Sequence, residues 1–103
     1  MSYSNLALVL KALGDYQGAR ELLEKAMRSA EQNFGAQHPT TAVRYWNLGT
    51  VLQGMKEYAG ARKLYERAFK VFQHSLGESH PYTKGVVSWM KKLDQQERED
   101  GSE

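Results

Sequence analysis

The chain contains no cysteine, which excludes a disulfide framework, a thiolate metal site and a cysteine nucleophile. Proline is scarce, with two in 103 residues, and runs of β-branched residues are few. Alanine, leucine, glutamate, lysine, arginine and glutamine are frequent instead, so local preference points to helix rather than strand. Long apolar runs are missing too. The stretch at residues 6–10 is too short to cross a bilayer and lacks the features of a signal peptide, so no membrane partner is expected.

An excess of one charge is also absent. Fourteen basic and twelve acidic residues leave a net charge of +2, and the two signs are mixed along the chain. Lys11, Arg44, Lys91 and Lys92 are too few and too scattered for the basic, aromatic-lined stripe that nucleic acid requires. Nor is there a serine in a nucleophile setting or a pair of carboxylates converging on an evident cleft, so no catalytic residue, metal or cofactor is expected. The composition, 41% hydrophobic and 25% charged, belongs to an ordinary globular protein of one domain. The cytoplasm suits a chain without cysteine.

What the chain does have is an internal repeat. Sliding it by 42 residues lays residues 4–45 over 46–87, and fifteen positions are then identical. Asn5, Leu6, Val9 and Leu10 fall on Asn47, Leu48, Val51 and Leu52. Tyr16, Gly18, Ala19, Arg20, Leu22, Glu24 and Ala26 fall on Tyr58, Gly60, Ala61, Arg62, Leu64, Glu66 and Ala68. Gly35, His38, Pro39 and Thr41 recur as Gly77, His80, Pro81 and Thr83. A period of this length is that of a helical solenoid.

Each unit divides into two amphipathic segments. Tyr45, Leu48, Leu52 and Met55, then Ala61, Leu64, Tyr65, Ala68, Phe69 and Phe72, recur at three- and four-residue steps, which predicts two helices. Gly14-Asp15 and Lys56-Glu57 break the pairs, lysine being the poorer helix stop. Gly35 and Gly77 end the second helices, and Pro39 and Pro81 suit the first turn of the next. The small residues Ala7, Gly49, Ala19, Ala61, Ala26 and Ala68 let paired helices approach closely.

At this point the chain resembles the tetratricopeptide repeat family, through Tyr45, Leu48-Gly49, Leu52, Ala61, Tyr65 and Ala68, and through Tyr3, Leu6-Ala7, Leu10, Ala19, Leu23 and Ala26. The long period and the Gly-x-x-His-Pro junctions at residues 35–39 and 77–81 are similar to the longer subtype of kinesin light chains and bacterial signalling proteins. The resemblance implies an all-α, right-handed solenoid of helical hairpins with five helices. Its expected organisation is one domain at 1–97: repeat 1 at 1–36, repeat 2 at 37–78 and a capping helix at 79–97, with a disordered tail at 98–103. Lys91 stands where Ala7 and Gly49 stand, and a long charged side chain there keeps a partner helix away, hence the reading as a cap. The cap helix is expected to end near Gln96. The first helix reads as truncated, with Tyr3, Leu6 and Leu10 along an uncovered edge able to drive self-association or helix exchange.

Such repeats line a concave groove with their first helices. Register places Asn5, Leu8 and Lys11 of the first unit there, with Ser4 and Ala12; Val43, Trp46, Asn47, Thr50 and Gln53 of the second, with Gly54; and Trp89 and Lys92 of the cap, with Ser88. Asn5 and Asn47 are candidates to grip a peptide backbone, since a carboxamide both donates and accepts. The bland alternative is that they bridge helices or reflect common descent of the units. Trp46 is either an interface anchor or packing between helices. The family's carboxylate clamp for a C-terminal Glu-Glu-Val-Asp peptide is not expected: Asn47 fits it, but Ser4, Leu8, Gly85 and Trp89 stand where lysine, asparagine and two basic residues are needed. His38 and His80, beside prolines, suit turn or capping roles rather than metal binding. Arg20 with Glu24 and Arg62 with Glu66 are spaced as exposed helix pairs. The expectation is an interaction module that binds a protein or peptide. The alternative is a self-associating structural or designed minimal array whose partner is itself.

Overall fold

The computed structural model describes residues 3–101, except for the side chains of Tyr3 and Ser4. Five α-helices follow one another among these residues: α1 (Tyr3–Ala12), α2 (Tyr16–Phe34), α3 (Pro39–Gly54), α4 (Tyr58–Leu76) and α5 (Pro81–Gly101). The repeat seen in the sequence is the repeat of the fold: α2 and α4 start at Tyr16 and Tyr58, and α3 and α5 at Pro39 and Pro81, each pair 42 residues apart. Helices α1 and α2 form one antiparallel hairpin, α3 and α4 the next, and α5 packs on α4.

The junction motif has a hydrogen-bonding logic at every conserved-looking position of the two units. The Nδ1 atoms of His38 and His80 accept from the backbone N–H groups of Thr40 and Tyr82, each at 3.0 Å. Each imidazole thus satisfies one of the orphan donors of a helix N-terminus. The hydroxyls of Thr41 and Thr83 donate backwards to the carbonyls of Gly35 and Gly77, at 2.7 and 2.8 Å. Proline in the first turn costs no hydrogen bond. One short segment therefore closes the second helix of a unit and starts the first helix of the next.

The turns within the hairpins are less alike. Asp15 caps α2 by accepting from the N–H of Gly18 at 2.9 Å. Glu57, its counterpart, makes no side-chain cap on α4 and instead accepts from Arg20 at 3.0 Å, tying the second turn to α2. Gly14 takes φ 85°, and Lys56 at the same place in the second unit takes φ 64°, a region that costs a side-chain-bearing residue about 1–2 kcal/mol.

Packing depends on small residues. Gly49 lies so close to the ring of Tyr65 that a Cβ would sit 2.5 Å from its Cε1, and Ala7, Ala19 and Ala61 are fully buried. Across the repeat boundary, Tyr45 donates to Glu31 at 2.6 Å and accepts from Arg67 at 2.9 Å, while the Arg67 guanidinium stacks 4.3 Å above its ring. Burial first, and the bond to Glu31 second, push the Tyr45 phenol up to about 12, so it stays a protonated donor.

Three expectations need revision. Helix α5 continues past Gln96 to Gly101, because Arg62 bonds Asp94 at 2.8 Å and Glu97 at 2.6 Å and the Tyr58 hydroxyl bonds Asp100; of the proposed tail, only residues 102–103 lie outside the described residues. Arg62 accordingly pairs across to α5 rather than with Glu66, whereas Arg20 does pair with Glu24 at 3.0 Å. The exposed apolar edge here comprises Leu6 and Val9 of α1, 38% and 45% exposed, with Leu13 just after the helix, 77% exposed, while Leu10 packs against the core; the Tyr3 side chain lies outside the described residues.

Lys56→Gly should raise stability by about 1 kcal/mol by removing left-handed strain. Thermal unfolding reads this as a gain of roughly 4–8 °C in Tm, and an unchanged or lower Tm would show that the turn is not strained.

Candidate binding groove

Helices α1, α3 and α5 occupy the same position in successive units, and between them lies an open hollow of about 280 Å³ lined by Leu8, Lys11, Val43, Trp46, Asn47, Thr50, Tyr82 and Trp89. Seven of these come from the stripe that helical register predicts. Its walls are mostly apolar and aromatic, with few polar groups among them, the composition of a site that captures a side chain and orients it with a small number of polar contacts.

Trp46 combines the two readings available from sequence. Its ring packs against α5, so close that a Cβ on Gly85 would lie 2.5 Å from its Cη2, and it meets Phe72 and Tyr82 edge-on with centroids 6.0 and 6.3 Å away. It also lines the hollow. Its Nε1 is buried with no partner among the described residues, at a cost of about 1–3 kcal/mol.

Trp89 forms the opposite wall. The ammonium groups of Lys11, from α1, and Lys92, from α5, lie 5.2 and 4.9 Å from its ring centroid, within the reach of cation–π attraction. Lys11 is half-buried, and desolvation lowers its pKa from the ordinary lysine value. Lys92 therefore acts at the rim through Trp89 and does not line the hollow itself. Thr50 is buried and donates to the backbone carbonyl of Asn47 at 2.8 Å, and Asn47 itself lines the hollow.

Other register positions go elsewhere. Gln53 is buried: it accepts from the Tyr65 hydroxyl at 2.8 Å and donates to Gln96 at 3.0 Å, joining α3, α4 and α5. Its role in the structure is internal, because the approach of α5 closes over it. Asn5 is exposed on α1 outside the hollow's lining. Gly54 meets the ring of Tyr16, and Ser88 lines a second hollow with Phe69, Thr83, Lys84, Val87 and Lys91 on another face of α5. The Ser4 side chain lies outside the described residues. Tyr82 is the lining residue that register missed. The available signal was an aromatic directly after Pro81, where the first unit has Thr40 after Pro39.

Residues 1–74 match the family model described as tetratricopeptide repeat. Among solved structures, BtubC (BKLC) from P. vanneervenii is similar with a TM-score of 0.84 and 23% sequence identity, over 92% of this chain. This chain spans 37% of the length of that one, and likeness at that identity speaks for the fold. No curated protein matches the chain.

Gly85→Ala should lower stability by about 1–2 kcal/mol, since displacing the Trp46 ring costs more than the gain in helix propensity returns. Intrinsic tryptophan emission should shift to longer wavelength as the indole loses packing. A higher Tm with unchanged emission would sink the claim of a close α3–α5 contact.

Proposed function

This chain belongs to the tetratricopeptide repeat family, and on that premise we propose that it is an interaction module that binds a peptide or helix of another protein in the groove between α1, α3 and α5, in the cytoplasm, without catalysing a reaction. The observation that carries this reading is the hollow itself, where three successive first helices bring Leu8, Val43, Trp46, Tyr82 and Trp89 around the polar groups of Asn47 and Lys11. Aromatic side chains in a partly preformed depression are the anchors by which interfaces concentrate their energy. The Asn47 carboxamide supplies a donor and an acceptor at once, the pair that an extended backbone or a helix end needs. Among the described residues, no helix is long and apolar enough to cross a membrane.

A second reading, self-association through α1, is favoured by one comparison inside the chain. Leu6 and Val9 are 38% and 45% exposed, while Leu48 and Val51 at the same repeat positions are 5% and 0% exposed. The same apolar residue types are thus covered in one unit and open in the other, and a second copy is one way to cover them.

Both tryptophans of the chain line the hollow, so tryptophan fluorescence is a built-in reporter of the groove. Titration with a panel of short peptides should change the emission saturably, and Asn47→Ala should weaken the best binder about fivefold to tenfold, the worth of one good hydrogen bond, with little change in Tm. Tight binding that leaves both indoles unperturbed would place the ligand elsewhere and refute the groove reading. Light scattering across a concentration series tests the second reading: the native chain should rise towards twice 11.7 kDa, and the triple variant Leu6→Gln, Val9→Gln, Leu13→Gln should remain at the monomer mass. A native mass that stays constant removes it.

A further inference from the structure

The two hairpin turns occupy the same repeat position but are not equally well made. In the first, Gly14 takes its φ of 85° with no side chain to strain, and Asp15 caps α2 through the N–H of Gly18 at 2.9 Å. In the second, Lys56 takes φ 64°, a region that burdens any residue with a Cβ. Glu57 gives α4 no side-chain cap, so the first N–H groups of that helix lack the partner that Asp15 supplies to α2. Glu57 is held instead by its pair with Arg20, both side chains a third or more exposed, and such a pair is weak.

The three residues of this turn favour helix. Met55, Lys56 and Glu57 are good helix formers, and no proline stands between Pro39 and Pro81. With Lys56 at a helical φ, α3 and α4 run on as one helix from Pro39 to Leu76. The carbonyls of Gly54, Met55 and Lys56 then accept from the N–H groups of Tyr58, Ala59 and Gly60, four residues on. The buried contact between α3, with Tyr45, Leu48 and Val51, and α4, with Tyr65, Ala68 and Phe72, is restored by a second chain opened in the same way.

We propose that the α3–α4 turn is a hinge and that its partner is a second copy of this chain: two chains exchange their α4–α5 halves, each α4 packing on the α3 of the other. A short, strained hinge favours such exchange. The interface is the one already buried inside the hairpin, distinct from the exposed edge of α1. The groove is then built by two chains: Leu8, Lys11, Val43 and Trp46 of one copy meet Tyr82 and Trp89 of the other, and one dimer carries two complete hollows. Two linked sites hold a partner that presents its segment twice more tightly than one site does. Opening must separate the buried α3–α4 contact, so native monomers convert slowly, and the exchanged dimer forms when unfolded chains refold at high concentration.

The test refolds the full chain from denaturant at low and high concentration and separates the products by size exclusion with light scattering. High concentration should yield a species of twice 11.7 kDa that persists on dilution, whereas association through the α1 edge reverses. The variant Leu6→Gln, Val9→Gln, Leu13→Gln should form it equally well. Lys56→Gly with Glu57→Asp copies the first turn. Annealed close to Tm, where chains open and reclose, it should show a dimer dissociation constant raised about thirtyfold or more, because each dimer relieves two strained turns. The chain has no cysteine, so spin labels placed through Arg44→Cys and Lys70→Cys mark those sites alone. With doubly labelled chain refolded in an excess of unlabelled chain, the separation should be that of neighbouring helices in the monomer. In the dimer it should lengthen to about 40 Å, the rise of one continuous helix between the labels. A dimer whose labels keep the short separation overturns the proposal. So does an unchanged dissociation constant in the Lys56→Gly, Glu57→Asp variant, a dimer that the triple α1 variant abolishes, or the failure of concentrated refolding to give a dimer.

Discussion

Two helices of a hairpin approach as closely as the side chains between them allow, and here that distance is set by residues that are almost absent. Gly49 admits the ring of Tyr65 to the backbone of α3, and the buried alanines at 7, 19 and 61 do the same around the hairpins. The large residues then fill space beside the contact instead of holding the helices apart. Tyr65 shows the consequence: with its ring fully buried, its hydroxyl still reaches Gln53, and Gln53 reaches Gln96. Burial holds the phenol above its ordinary pKa, in the protonated form that this bond needs. One small residue thus allows a polar chain that links three helices.

The stacking of units follows from the junctions rather than from the hairpins. His38 and His80 cap the incoming helices, and Thr41 and Thr83 fasten them to the carbonyls that end the outgoing ones. Since the angle between successive units is set by this short segment, its repetition brings α1, α3 and α5 to one side of the molecule. The groove is the geometric result. Its aromatic wall at Trp46 is possible because Gly85 leaves room for the indole under α5. The same substitution of glycine for valine at that repeat position is therefore both a packing solution and a condition of the site.

The first and last described helices differ in chemistry. At α1 the outward stripe is apolar, with Leu6 and Val9, and Leu13 just after the helix, in contact with solvent. At α5 the outward face carries Lys84 and Lys91 beside Val87, which solvates it and makes it a poor seat for another closely packed helix. The long α5 is held instead by charge along its inner side, where Arg62 gathers Asp94 and Glu97. Such pairs are partly exposed and individually modest in energy, yet they act on a helix whose apolar contacts at Val86 and Leu93 already fix its path.

The sequence by itself determined what is local or periodic. Five helices, their pairing into hairpins, the junction motif and the stripe that faces the groove all follow from residue spacing, because helix formation and capping depend on neighbours three and four positions away. Seven of the hollow's eight lining residues were legible in that way. What only the tertiary structure decided is how equivalent positions diverge. Lys11 and Gln53 share a register, but α5 and Tyr65 close over Gln53 while Lys11 reaches across to Trp89. Arg20 and Arg62 share a register too, yet Arg62 leaves Glu66 for acids 32 and 35 residues away, and α5 extends because of it. Repeat symmetry makes positions alike in sequence, whereas burial and partners depend on which helices stand next to them, and the two described units do not have the same neighbours.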